Sequence, residues 1–159
     1  MSFDTRAFRQ ALGLFPTGVV VVTAGEGRHV GITVNSFTSV SLDPPLVLWC
    51  VDKRSERFQA FAKAETFTIS ILGTAHEAVS ARLAKQGAHH LDGIELLPTD
   101  LGPPALGDAL AYFECEKQAL HDAGDHAIVV GRVIHFARHE AGQPLVFFRG
   151  RYGALAQSD

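Results

Sequence analysis

Apolar positions along this chain recur mostly every second residue, which is the period of half-buried strands rather than of helices. "VVVVT" (19–23) is β-branched throughout and predicts a buried strand. "AGEGR" then reads as a hairpin turn, and "HVGITVNSFTSVS" (29–41) as one returning strand, antiparallel to the first because the turn is so tight. Adjacent prolines in "LDPP" stop the ladder, since neither can donate to it. "LVLWCV" (46–51) predicts a third strand buried on both faces, and "TFTISIL" (66–72) a fourth with clear alternation. "AYFECEKQAL" (111–120) sets Phe113, Cys115 and Lys117 on one face and Tyr112, Glu114 and Glu116 on the other. "DHAIVVGRVIHFAR" (125–138) and "PLVFFRGRYG" (144–153) close the series as strands.

Helical spacing appears in three places. Phe3, Ala7, Phe8, Ala11 and Leu12 predict a short amphipathic helix that "FPTG" ends. "RSERFQAFAKA" (54–64) predicts a second, with Ser55 as its N-cap, and "AHEAVSARLAK" (75–85) a third. Residues 86–108, rich in Gly, Pro, His and Asp, read as a surface excursion. Helices are thus inserted between strands rather than alternating with them, which argues against a parallel βαβ sheet and for a closed antiparallel barrel.

Composition narrows the function. The 159 residues are 47% hydrophobic and 19% charged, so 1–159 read as one globular domain with one core. A net charge of −3 without a basic tract makes nucleic acid an unsuitable partner. No apolar run reaches the roughly 20 residues of a membrane helix. "MSFDTRAFRQ" lacks a secretory pattern, and Cys50 and Cys115 form no CxxC pair, so a cytoplasmic protein is expected.

Several motifs fail on inspection. "GEGRHV" (25–30) starts as a dinucleotide fingerprint but has Val30 at the third glycine and a strand where the helix should begin. His89 and His90 are neighbours that would point apart on regular structure. His135 and His139 would stand roughly 13 Å apart along a strand, so no metal site is read. Ser36, Ser39 and Ser41 have no nucleophile elbow around them.

Four segments carry chemistry. In 31–41 the odd positions Gly31, Thr33, Asn35, Phe37, Ser39 and Ser41 form a small, uncharged, hydrogen-bonding face. Such a face suits a flat heteroaromatic ring with Gly31 allowing close approach, and it also suits an ordinary Thr/Ser-rich edge strand. In "DKRSERF" (52–58), Lys53, Arg54 and Ser55 precede a helix start, where free amides and added cations favour phosphate; a solvated, capped helix is the other reading. Asp125 and His126 stand at the mouth of a strand, and "RGRYG" (149–153) ends another with two cations and a ring. Together they offer what a second, anionic aromatic ligand requires.

The blocks "FPTGVVVVT", "GITVNSFTSVSLDPPLVLWCV", "FTISIL", "GDHAIVVGRV" and "PLVFFRGRYG", in this order and spacing, resemble the short-chain flavin reductases, the reductase components of two-component flavin-dependent monooxygenases. The resemblance implies a mainly β fold, an antiparallel split β-barrel of Greek-key type with a few peripheral helices, working as a homodimer. It implies FMN or FAD as cofactor and NADH or NADPH as electron donor, with a separate monooxygenase as possible partner. Flavin would lie against Thr33, Val34, Asn35, Ser36, Phe37 and Ser39, with Ser41 near. Its phosphate would sit around Asp52, Lys53 and Ser55 with Arg57 behind, and Ser80 and Arg82 would flank its outer part. His126, Arg151 and Tyr152 would line the nicotinamide side, His126 as positioner. Glu56-Arg57 departs from the extra Ser or Thr that many relatives carry there. The competing expectation is an FMN-binding electron carrier on the same barrel.

Overall fold

The computed structural model describes residues 2–139 and 141–157. Twelve strands and three α-helices follow one another in the order α1 (Thr5–Leu12), β1 (Thr17–Gly18), β2 (Val20–Ala24), β3 (Val30–Val34), β4 (Thr38–Leu42), β5 (Pro45–Asp52), α2 (Phe58–Lys63), β6 (Thr66–Ile71), α3 (Glu77–Leu83), β7 (Leu96–Leu97), β8 (Ala105–Leu106), β9 (Ala111–Ala123), β10 (His126–Arg138), β11 (Val146–Phe148) and β12 (Arg151–Gly153). Seven strands form one antiparallel sheet ordered β3-β2-β6-β9-β10-β5-β4. β1, β11 and β12 form a small second sheet, and β7 pairs with β8.

β2 is the strand on which the packing turns. Its β-branched residues face two clusters at once, Val20, Val22 and Ala24 one way and Val21 the other. The first cluster is built on Trp49, whose ring meets Phe61 at 5.1 Å and Phe67 at 5.9 Å, both edge-on. The second gathers Val19, Val21, Leu72, Leu83, Leu91, Leu106 and Leu145 beneath α3 and the C-terminal hairpin.

Five expectations change. The 29–41 segment is two strands: β3 lies against β2 and β4 against β5, at opposite edges of the seven-stranded sheet. No ladder joins β3 to β4 among the described residues, so the sheet is not a closed barrel. Along β5 only Val47, Trp49 and Val51 are buried, because the alternate residues Leu46, Leu48 and Cys50 are half exposed. The 144–153 segment is likewise a hairpin of two strands, β11 and β12. Residues 103–106 are buried and strap the sheet: Thr23 Oγ1 donates to the Pro104 carbonyl and Thr68 Oγ1 to that of Pro103, each at 2.6 Å, while Ser70 Oγ accepts from Leu106 N–H.

Candidate functional site

Two clefts meet along β3. The first, about 480 Å³, is lined by Ile32, Thr33, Asp52, Arg54, Ser55, Glu56, Arg57, Ala84 and Gln86. The second is lined by Val19, Thr33, Val34, Asn35, Ala84, Phe147 and Tyr152. Thr33 and Ala84 belong to both, so the two form a single groove between β3 and the end of α3. Tyr152 also borders a third cleft with Arg149 and Arg151. The middle of the groove is uncharged; Arg54 and Arg57 stand with Asp52 and Glu56 at one end, and Arg149 and Arg151 line the cleft beyond Tyr152.

Local folding fixes the middle. Thr33 Oγ1 donates to the Ser80 carbonyl at 2.8 Å, tying β3 to α3. Ser80 is fully buried, and its hydroxyl meets the Tyr152 hydroxyl at 2.7 Å. Gly31 is needed for a different reason than a ligand's approach. A Cβ there would stand 2.8 Å from Leu91 Cδ2 and 3.2 Å from Leu83 Cδ1, so its close neighbours are core side chains.

The 35–37 crossing disperses the expected face. Asn35 is exposed and lines the groove. Ser36 Oγ accepts from Cys50 N–H at 2.9 Å and donates to the Cys50 carbonyl at 3.2 Å, clamping the crossing to β5. Phe37 packs on the Trp49 cluster and stacks on Phe113 at 6.0 Å. Ser39 and Ser41 lie on β4, where a bulge at Val40 breaks the alternation that would have aligned them with Thr33.

The charged end is a turn rather than a helix start. α2 begins at Phe58 with Arg57 as N-cap, so Ser55 caps no helix; its Oγ accepts from Arg57 N–H instead. Asp52 Oδ1 accepts from Arg54 N–H at 2.8 Å, and its carboxylate is gripped by the Arg54 guanidinium at 3.0 and 3.2 Å. Those bonds hold the Asp52 carboxyl below its ordinary range. Arg57, with 4% of its side chain exposed, donates to the carbonyls of Gly31, Leu83 and Lys85. Burial draws its pKa down. Its Nε is buried without a hydrogen-bond partner among the described residues. Lys53 turns away to Asp122 and the Gly124 carbonyl.

The remaining expected residues sit around the rim. Arg82 donates to the His90 carbonyl at 2.9 Å. His126 stands opposite Asp52 in the β5–β10 ladder, its Nδ1 2.7 Å from Asp125 Oδ1, and it is not among the residues lining the groove. Arg151 is exposed beside Tyr152. His89 and His90 lie on irregular chain, and their rings meet at 4.2 Å instead of pointing apart.

Sequence reading missed Ile32, Ala84, Gln86, Val19 and Phe147 as lining residues. Only Ala84 carried a usable signal: it lies four residues after Ser80, on the same helical face.

The sequence matches the family described as flavin reductase like domain over residues 12–156. A relative from Agrobacterium fabrum, "FMN reductase (NADH) SmoA", is 47% identical over 97% of this chain and 88% of its own length. "Flavin-dependent monooxygenase, reductase subunit HsaB" of Rhodococcus jostii is 36% identical over 97% of this chain and 80% of its own. Among solved structures, the Streptomyces globisporus C-1027 NADH:FAD oxidoreductase SgcE6 superposes with a TM-score of 0.93 at 36% identity, covering 100% of this chain and 99% of that one.

Proposed function

The chain belongs to the flavin reductase-like family, and from that membership we propose that it is an NAD(P)H:flavin oxidoreductase supplying reduced FMN or FAD to a separate monooxygenase. The observation that carries this reading is the groove itself: an uncharged floor of Thr33, Val34 and Asn35, with Arg54 and Arg57 beside Asp52 and Glu56 at one end and Arg149 and Arg151 in the cleft beyond Tyr152. The residues fit a flavin. Arg57 Nε is an orphaned buried donor bordering the cleft, and Ser55 lines the same cleft. When bound, flavin supplies the ring that accepts a hydride from reduced nicotinamide.

The protein's task is to hold two flat rings in reactive alignment, which needs no acid–base residue. Thr33, Val34 and Asn35 line the ring's seat, and neutral partners there bias neither redox state strongly. Ser39 and Ser41 border it from β4, and Phe37 from the crossing that precedes β4. Ser36, Lys53, Arg57 and Arg82 shape the site from behind, since their polar groups already hold Cys50, Asp122, three backbone carbonyls and His90. Ser80 fixes Tyr152, which with Arg151 and His126 faces the nicotinamide.

In the same reading the curled sheet is a split barrel, and two copies pair in the cytoplasm. Exposed Phe8, Leu12, Leu42 and Phe136 supply apolar surface for that pairing.

Purified protein with NADH and a trace of free flavin tests the reading at 340 nm. Many equivalents of NADH oxidised per flavin support it. A retained yellow cofactor that NADH does not bleach would instead identify an electron carrier.

A further inference from the structure

Glu56 is the residue whose place in the groove is least expected of a phosphate site. It lines the cleft with Ser55 and Arg57, and its side chain is 33% exposed. Its Oε1 accepts from Gly87 N–H, lies 3.2 Å from His89 Nδ1 and 3.9 Å from Arg57 Nε. The cleft's lining therefore carries two carboxylates, Asp52 and Glu56, against two guanidiniums, Arg54 and Arg57. Arg54 is gripped by Asp52, and Arg57 by three carbonyls, which leaves Arg57 Nε as its one unbonded donor, 3.9 Å from the Glu56 carboxylate. Lys53 has left for Asp122. A phosphate entering this end meets a wall with no surplus positive charge.

We infer that Glu56 is a specificity-determining residue that weakens the hold on a terminal phosphate, so that the groove disfavours FMN relative to FAD and riboflavin. The inference rests on the flavin reductase reading and says how that site discriminates among flavins. A phosphate monoester is doubly charged at about pH 8, its second pKa being about 6. The Glu56 carboxylate opposes that charge across a partly solvated rim, where one like-charge contact changes affinity severalfold. FMN ends in such a monoester. FAD carries two singly charged diester phosphates and feels the carboxylate less. Riboflavin has no phosphate and does not feel it.

Fluorescence titrations of riboflavin, FMN and FAD at about pH 8 and low salt, with wild type, Glu56→Gln and Glu56→Ser, test this. Glutamine keeps an oxygen for Gly87 N–H, so the loop stays tied. Glu56→Gln is expected to tighten FMN about fivefold and FAD about twofold while riboflavin is unchanged, and added salt to erase the difference. Glu56→Ser gives the same order. Equal changes for all three flavins, or FMN unchanged or weakened, overturn the role of Glu56 and leave the functional reading standing. If none of the three flavins binds wild type or either variant, the functional reading falls and the role of Glu56 falls with it.

Discussion

The Tyr152 hydroxyl meets the buried Ser80 hydroxyl at 2.7 Å, and this one contact joins the C-terminal hairpin to α3 at the wall of the groove. Removing either partner leaves the other without its bond. Tyr152→Phe and Ser80→Ala are each expected to cost about 1 kcal/mol. The double variant should cost less than the sum, because the second change removes a group already orphaned. Urea midpoints for the four proteins measure the coupling.

Arg57 holds three carbonyls from β3 and the end of α3, so it is a structural staple before it is anything else. Arg57→Met fills the space and abandons those acceptors. A loss of about 3 kcal/mol is expected, and Arg57→Lys should restore little of it because one ammonium nitrogen cannot stand in both places that the two terminal guanidinium nitrogens hold. Arg54→Met, at an exposed site, should shift the urea midpoint far less than Arg57→Met does.

His126 is oriented by Asp125 at 2.7 Å and stands on the strand beside Asp52. His126→Ala is expected to lower kcat/KM for NADH about 10- to 100-fold by loss of positioning. Flavin affinity should not change. Steady-state kinetics alongside fluorescence titration separate the two; an unaltered kcat/KM would take His126 out of the site.

Acid should loosen the 52–57 turn. The Arg54 guanidinium and N–H, both bonded to Asp52, hold that carboxyl below its ordinary range. A depressed carboxyl stabilises the fold above its unfolded pKa, and that contribution is lost as pH falls through the folded one. The loss therefore begins below about pH 4. Urea midpoints between about pH 3 and pH 7 should fall less steeply for Asp52→Asn than for wild type at the acid end.

The two thiols should report burial differently. Cys115 is fully buried on β9; burial pushes its thiol up to about 12, with the Glu114 carboxylate adding to the effect. Cys50 is also raised by burial, but it is partly exposed on β5. Iodoacetamide at about pH 8 should label Cys50 first and Cys115 only after unfolding, read by peptide mass.

Much of the sheet was legible because local pattern and tertiary role agree. Val20–Ala24 is a buried ladder strand, as its β-branched run predicts, and Thr66–Ile71 is the expected strand, although residues 67–70 are buried on both faces rather than alternately. The 35–37 crossing was not legible. Asn35, Ser36 and Phe37 include no Gly or Pro to mark a break, and the bond that makes the break, Ser36 to Cys50, spans two strands. The burial of 103–106 was hidden for a similar reason. Pro103 and Pro104 read as loop, yet their carbonyls are the acceptors that Thr68 and Thr23 need inside the core. Arg57 announces a charge in the sequence, and only the fold shows three carbonyls around it.

Because β3 and β4 lie at opposite edges of one sheet, residues 35–37 act as a leash between them. Four backbone steps separate Val34 from Thr38, which at full stretch reach about 14 Å. That length caps how far the two edges can part, so the opening beside Asn35 has a maximum gauge written in covalent bonds. Lengthening the leash by a residue or two would widen the gauge while every ladder stayed intact.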